Sequence, residues 1–393
     1  MNILGRHVLM EMLKVFVITL TAMTSFMIVI GIVQQAIRES LTPDTILQLI
    51  PFVLPNALCF AIPGTILFST CLIYGRMSAA NEVIAVKSAG VSPFKLLLPA
   101  IVLAFSLSFL TVFLNDLAVS WGRHGVYKIV LHSVEKTIYS VLNSERKYAK
   151  GNLSISVADV QGDQLIQPIV EILEDGRAMR FEAEQARILV DPENEELVFE
   201  VQNAFGQDPN HSATISLDEG RIGIPLRNAT KKNVETQSPS NMPLSSMSSA
   251  TIQENKFFHN QQQLLAVRSA MGLASGDFYD LTSNRWKIDL KELKESRNRI
   301  YRLKTEPWRR WANGFSCLCF VLVGAPLAIH LRRSDFWTTF GVVFIPVLLA
   351  YYPLLMFGVT QSKSGRVPPP TVWIGNIVMI LVGLWLVKRI VRN

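Results

Sequence analysis

Residues able to do covalent chemistry are present in this chain, but not in spacings that would let them do it. His7, His124, His132, His211, His259 and His330 are scattered without metal-ligand spacing. The chain contains no His-Glu-x-x-His string, no Gly-x-Ser-x-Gly elbow and no Gly-x-x-x-x-Gly-Lys-[Ser/Thr] phosphate loop, so no catalytic residue is assigned and any use of ATP must fall to a partner. Cys59, Cys71, Cys317 and Cys319 all lie in apolar runs and give no thiolate ligand or disulfide to the polar part of the chain. The one string whose residue types and spacing suit a recognition event is Gly75 to Gly90, reading GRMSAANEVIAVKSAG. Ser78 or Asn81 can cap a helix there, and Ala79, Val83, Val86 and Gly90 recur at i, i+4, i+7 and i+11. Gly90 followed by Pro93 supplies a stop. Glu82 and Lys87 stand among the apolar positions, so the expected product is a short amphipathic helix with charged contacts for another protein.

The elements that position this helix are long and apolar. Of 393 residues, 49% are hydrophobic and only 18% charged, which lies on the membrane side of the globular range. Runs near the ~20 residues needed to cross a bilayer appear at Val15 to Val33, Val53 to Tyr74, Leu96 to Leu117, Trp311 to Leu331, Phe336 to Val359 and Val372 to Val387. The fold class is therefore an α-helical membrane protein with six transmembrane helices in two sets of three. A first membrane half spans 1–117, with the amphipathic helix at about 78–90; a polar domain spans 118–310 and a second membrane half 311–393.

Lys and Arg in the short loops set the orientation. With the N-terminus cytoplasmic, the inner face carries Arg6, Lys14, Arg76, Lys87, Lys95, Arg332, Arg333, Lys388, Arg389 and Arg392, against Arg38, Lys363 and Arg366 outside. Both termini then face the cytoplasm and the inserted domain is external. A basic cluster from Lys287 to Arg310 precedes the fourth span. Long translocated domains obey the charge rule poorly, so it stays outside, in need of another reason. The apolar N-terminal run is longer than a signal core and is followed by no small-x-small site, so it is expected to remain as an anchor.

Within the external domain, alternation predicts strands at Leu153 to Val157, Ile169 to Ile172, Met179 to Ala183, Ala186 to Val190, Leu197 to Val201, Ala213 to Leu217 and Arg221 to Ile224, a pattern suited to a β-sandwich or jelly roll. Trp121 to Leu142 reads as an amphipathic extension, and Thr236 to Thr251, rich in Ser with Pro239 and Pro243, as a flexible loop. Leu290, Leu293, Ile300 and Leu303 share one face of a helix leading down to Trp308 to Trp311.

Three strings carry a resemblance to a known family. Gly75 to Val91 closely resembles the coupling-helix motif of the lipopolysaccharide-transport permeases, the LptF/LptG family. Gly365 to Asn376, reading GRVPPPTVWIGN, resembles that family's entry to the last span, and Arg299 to Leu331 with Gly324-Ala-Pro326-Leu327 is similar to its fourth-span pattern. The resemblance covers both membrane halves; the Ser-rich segment and the helical stretch Asn255 to Leu273 depart from it. It implies an inner-membrane permease with a periplasmic β-jelly-roll-like domain and no cofactor. The implied partners are a cytoplasmic ABC ATPase dimer, a second LptF/LptG-type permease, periplasmic β-jelly-roll bridge proteins, a glycolipid substrate and membrane lipids, with no nucleic acid. It further implies that Arg76, Glu82, Val83, Val86, Lys87 and Gly90 make the ATPase contact, with Glu82 at the acidic position, and that Arg332 and Arg333, beside Asp335, form a second one. A phosphorylated glycolipid also needs cations and aromatic anchors near the external interface, for which Arg38, Trp308, Arg309, Arg310 and Trp311 are the candidates. A secondary lipid transporter is disfavoured because span interiors hold almost no ionisable residue, with Asp116 near an outer end. A non-transporting membrane scaffold offering a sheet edge is the remaining alternative.

Overall fold

The computed structural model describes residues 3–39, 43–122, 125, 138–150, 153–174, 177–191, 196–207, 214–225, 238–276, 283–331 and 336–392. The helices are α1 (Ile3–Glu39), α2 (Pro43–Ala79), α3 (Glu82–Ser88), α4 (Pro93–Leu117), α5 (Leu244–Ser275), α6 (Asn284–His330), α7 (Phe336–Pro346), α8 (Tyr352–Lys363) and α9 (Ile374–Arg392). π-helical turns extend α4 over Ala118–Gly122 and join α7 to α8 over Val347–Tyr351, so that α7 and α8 form one span. Six helical segments are long and apolar enough to cross a bilayer, in the two sets of three expected. The longest, α6, has 47 residues. At 1.5 Å per residue it measures about 70 Å, more than twice the ~30 Å hydrocarbon layer, so its polar first half must stand outside the membrane.

The chain divides into two compact units. The membrane unit comprises Met1–Ile28, Leu54–Gly122 and Ser238–Asn393. Its core is built by α2, α4 and α6, whose Ile62, Ile66, Tyr74, Leu96, Ala104, Cys317 and Val321 are buried together. Hydroxyls inside the spans bond back to their own helices, as Ser69 does to Thr65 O (2.7 Å) and Ser108 to Ala104 O (2.8 Å), which removes unpaired donors from an apolar medium. Others tie helices together: Tyr74 Oη donates to Leu96 O (2.9 Å), Ser78 Oγ to Ile329 O (2.8 Å) and Asn376 Nδ2 to Ala312 O (2.9 Å).

Close helix approach depends on missing side chains. A Cβ on Gly383 of α9 would lie 2.9 Å from both Cβ and O of Leu322 in α6. Without a hydrophobic force between helices in lipid, small residues that let backbones approach supply packing. Gly383→Val is therefore expected to lower stability by about 1–3 kcal/mol through overpacking. Gly341→Ala, with nothing within 4 Å of the added methyl, is the near-neutral control. Thermal unfolding in detergent compares the two, and equal midpoints would rule out this packing role.

The second unit comprises Val29–Val53 and Arg123–Gln237 and holds a nine-stranded antiparallel sheet curled into a half-barrel, consistent with a jelly-roll-like domain. Its strands are β1 (Lys147–Lys150), β2 (Leu153–Ser156), β3 (Asp159–Gln161), β4 (Gln164–Ile166), β5 (Ile169–Glu174), β6 (Arg177–Glu182), β7 (Gln185–Asp191), β8 (Glu196–Gln207) and β9 (Thr214–Pro225). β6 and β7 pair with β8 in one continuous register, from Arg180 opposite Gln207 to Asp191 opposite Glu196. They are one long strand broken at Ala183 and Glu184. At the break the far edge changes partner, from β5 and β2 beside β6 to β4 and β3 beside β7. Asn203, with φ +52°, lies opposite this break and donates from Nδ2 to Glu184 Oε2 (2.7 Å). Leu153, Ile155, Leu165, Ile188, Leu197 and Phe199 form the core, closed by Ile138 and Leu142 from a helix over 138–145.

Three departures from the sequence reading have physical causes. The expected runs ending at Leu217 and starting at Arg221 lie in one strand, β9, because Glu219 and Gly220 pair with Gln202 and Val201 of β8 instead of turning; Ala213 is outside the described residues. β1, β3 and β4 are too short to show alternation. The Ser-rich segment is helical from Leu244 onward, where Ser246, Ser249 and Thr251 hydroxyls bond back to Pro243 O, Ser246 O and Met247 O. Most of the Trp121 to Leu142 extension lies outside the described residues.

Candidate coupling site

α2 does not stop where a capping residue was expected. It runs on through Ala79, so Ser78 is buried within it rather than at a helix start. The chain reverses instead at Asn81, whose left-handed backbone (φ 59°, ψ 14°) is one that Asn tolerates better than most residues, and no side-chain cap forms. Asn81 O accepts from Ile84 N and Ala85 N at 3.1 Å each, starting α3. The end is a Schellman arrangement: Gly90, at φ +75°, donates from N to Lys87 O (2.9 Å), and Val91 N reaches Val86 O (3.1 Å). Pro93 then opens α4 with Ser92 Oγ accepting from Phe94 N (3.4 Å).

Two residues hold α3 against the bundle. Val83 is buried in the cluster that contains Val8, Met12, Tyr74, Met77 and Ile390. Lys87 Nζ donates to Ile390 O (3.1 Å), so a cation satisfies a carbonyl in the last turn of α9. Val86 is half-buried, while Glu82, Ile84, Ala85 and Gly90 are exposed. Arg76, in the last turn of α2, pairs with Glu11 of α1, which also lies 3.6 Å from His7. The exposed strip of α3, with Glu82 as its carboxylate, thus sits at the end of the bundle that carries both termini. Arg332, Arg333 and Asp335 lie outside the described residues.

The candidates at the other end separate into two kinds. Trp308 and Trp311 are exposed, and Trp311 meets Phe109 edge-on at 6.0 Å between ring centroids. Arg309 pairs with Glu306 one turn earlier. Arg310 is 1% exposed and held by protein on both terminal nitrogens: Nη1 lies 3.0 Å from Asp116 Oδ1 and Nη2 2.6 Å from Met242 O, while Nε faces Glu306 Oε1 at 3.6 Å without a hydrogen bond. Asp116 Oδ1 also accepts from Leu244 N (2.7 Å), which joins the end of α4, the start of α5 and the middle of α6 in one clasp. Asp116 and Glu306 were missed as partners. Glu306 had a local signal, four residues before Arg310, but the carbonyls of 240–242 left none. Arg38 lies in the last turn of α1, and its side chain is outside the described part of the structure.

In the sheet unit, a hollow of about 10 Å³, room for one water, is lined by Val170, Phe181, Glu182, Phe199, Val201 and Ile222 among others. Among the described residues, no group of His, Cys, Asp and Glu converges on a metal position.

A family model described as "Lipopolysaccharide export system permease LptF/LptG" matches residues 6–389. No curated protein matches the chain. Because that match runs over nearly the whole chain, spans and inserted sheet together, the chain belongs to the LptF/LptG family, multi-pass inner-membrane permeases for lipopolysaccharide export that transport and are not themselves enzymes.

Proposed function

We propose that this chain is the permease subunit of an ATP-driven ABC exporter that extracts lipopolysaccharide, or a related glycolipid, from the inner membrane and passes it to a periplasmic bridge. The observation that carries the reading is α3: a short helix held to the bundle by Val83 and Lys87, with Glu82 exposed on a chain that has no phosphate loop. A cytoplasmic ATPase dimer would dock there, with Arg76, Val86, Gly90, Arg332 and Arg333 framing the contact. Both termini are then cytoplasmic and residues 118–310 form the external domain.

A second permease of the same type would face the poorly covered spans, since only 11% of the apolar window of α1 and 33% of that of α9 are buried. Arg38, Trp308, Arg309 and Trp311 are proposed to meet the lipid head group, while Arg310 holds the elements around them. β9, twelve residues long and unpaired on its far side among the described residues, offers an edge to a bridge protein of like fold.

The test is purification of the chain in mild detergent from its native membrane, followed by reconstitution with the subunits it retains. An ATPase is expected to copurify, and ATP is expected to drive lipopolysaccharide out of the vesicles. Transport driven by a proton gradient without ATP would favour a secondary transporter; a chain that moves no lipid under either condition would be a scaffold.

A further inference from the structure

The outer half of α6 carries more cations than its packing uses. Residues 284–310 hold ten Lys and Arg against four Asp and Glu. Arg299, Arg309 and Arg310 are taken by Glu254, Glu306 and Asp116. Among the described residues, Lys287, Lys291, Lys294 and Arg302 have no such short ion pair. All four are exposed, and the ion pair seen among the described residues is Lys291 with Glu295 at 4.0 Å. Their i, i+4, i+7 and i+15 spacing confines them to an arc of about 80° at 100° per residue. The opposite face of α6 bears Asp289 and Ser296, which bond to Arg268 and Glu254 of α5, and the buried Ile300 and Leu303. The cationic row therefore points away from the helix that supports it. At its foot it continues into Arg309 and, across Tyr301 packed beside Gly365, to Lys363 at the end of α8. From Lys287 to Arg309 the row rises about 33 Å.

The geometry points to this row as a track for a polyanion: the phosphate- and carboxylate-bearing saccharide of the exported glycolipid, as it leaves the external face of the bilayer. This rests on the export reading above. Charge complementarity supplies the attraction, since each Lys or Arg beside an anionic surface adds to it. The composition argues against a protein partner. The centres of protein interfaces are depleted in Lys and built on buried aromatic or aliphatic anchors, and this row has Lys and no such anchor. A flat membrane surface would meet only the foot, because α6 continues directly from a span. An extended anion rising from the membrane meets the whole row, and Lys, as a flexible point charge, accepts phosphate without fixed geometry. The basic cluster before the fourth span thereby has a use on the external side.

The test uses the full chain with its partner subunits in proteoliposomes containing lipopolysaccharide, and a photocrosslinker in place of half-exposed Asn298 within the row. A second crosslinker at Leu264, on an exposed face of α5, is the control. Lipopolysaccharide should crosslink at 298 on addition of ATP and not at 264. Combined Lys287→Glu, Lys291→Glu and Lys294→Glu should lower the yield about tenfold or more, and the Gln triple should be intermediate. Lipopolysaccharide stripped of phosphate should crosslink weakly, whereas inorganic phosphate at the same concentration should not compete; effective competition would assign the row to free phosphate and overturn the proposal. An undiminished yield in the Glu triple, or a crosslink at 298 to protein instead of glycolipid, would overturn it as well. Transport that proceeds equally in the reversed variant with no crosslink at 298 removes this inference alone. Failure of the unmodified complex to move lipopolysaccharide removes the export reading, and this inference with it.

Discussion

Glu82→Lys is expected to leave the permease folded and inserted while lowering ATP-driven lipopolysaccharide release at least about tenfold, the effect of losing and reversing a charged contact at an interface centre. The separation of the two effects follows from where the side chain is. Glu82 is exposed, whereas the groups that hold α3, the Val83 side chain and the Lys87 ammonium on Ile390 O, lie elsewhere on the same helix. Reversal therefore places a cation on the docking surface without opening the bundle beneath it. Lys87→Glu should behave differently, since it also leaves Ile390 O without its donor and sets a carboxylate at a helix C-terminus, where the backbone dipole disfavours it. Membrane fractionation, ATPase retention through purification and vesicle release measured together distinguish the variants: Glu82→Lys should lose coupling with normal insertion, and Lys87→Glu should lose some stability too. Unchanged release in reconstituted Glu82→Lys vesicles would sink the coupling role of this carboxylate.

The contrast between α3 and the clasp shows what a sequence makes visible. The helix α3 was legible because its determinants are local: an apolar spacing, a Gly able to take φ +75°, and a Pro three residues later that opens the next helix. Of the two caps it offered, Asn81 stands at the N-cap position of α3 and Ser78 does not. Ser78 is a favourable cap by type, but continuing α2 to Ala79 buries it where its hydroxyl can reach Ile329 O, 251 positions away. Tertiary pairing overrode local preference. The six spans were equally plain, because each is a run of uniform composition. In the sheet, the alternating strands, down to the four-residue β2, were readable, while β1, β3 and β4 were not. β6 and β7 were read as two strands, as they are; that both pair with β8 in a single register was not legible. The clasp was beyond reach for a different reason. Asp116 and Arg310 are 194 residues apart, and two of the atoms that enclose the guanidinium are backbone carbonyls, which have no sequence signature.

That clasp sets the second large expectation. Arg310→Ala should destabilise the membrane unit by about 3–5 kcal/mol, the usual cost of truncating one partner of a buried ion pair, because it leaves Asp116, Glu306 and the Met242 carbonyl facing a void. Arg310→Lys should recover only part of the loss. An ammonium is a compact point charge, while the guanidinium fork reaches Asp116, Met242 O and the neighbourhood of Glu306 at once. Asp116→Asn should cost less than Arg310→Ala, since the amide oxygen can still accept from Leu244 N and Glu306 still faces the cation. If the two residues act as one unit, the double variant should lose less than the sum of the singles, with a coupling of about 0.5–3 kcal/mol. Thermal unfolding in detergent gives the four values, and limited proteolysis adds a location: cleavage should appear first near the start of α5, which Asp116 and Arg310 hold through Leu244 N and Met242 O. Strict additivity, or a protease pattern that leaves 238–250 intact in Arg310→Ala, would mean that the guanidinium does not anchor the outer helices. The clasp also orders the cationic row above it, since the same helix carries both: if Arg310→Ala loosens the root of α6, crosslinking at 298 should fall even with Lys287, Lys291 and Lys294 unchanged.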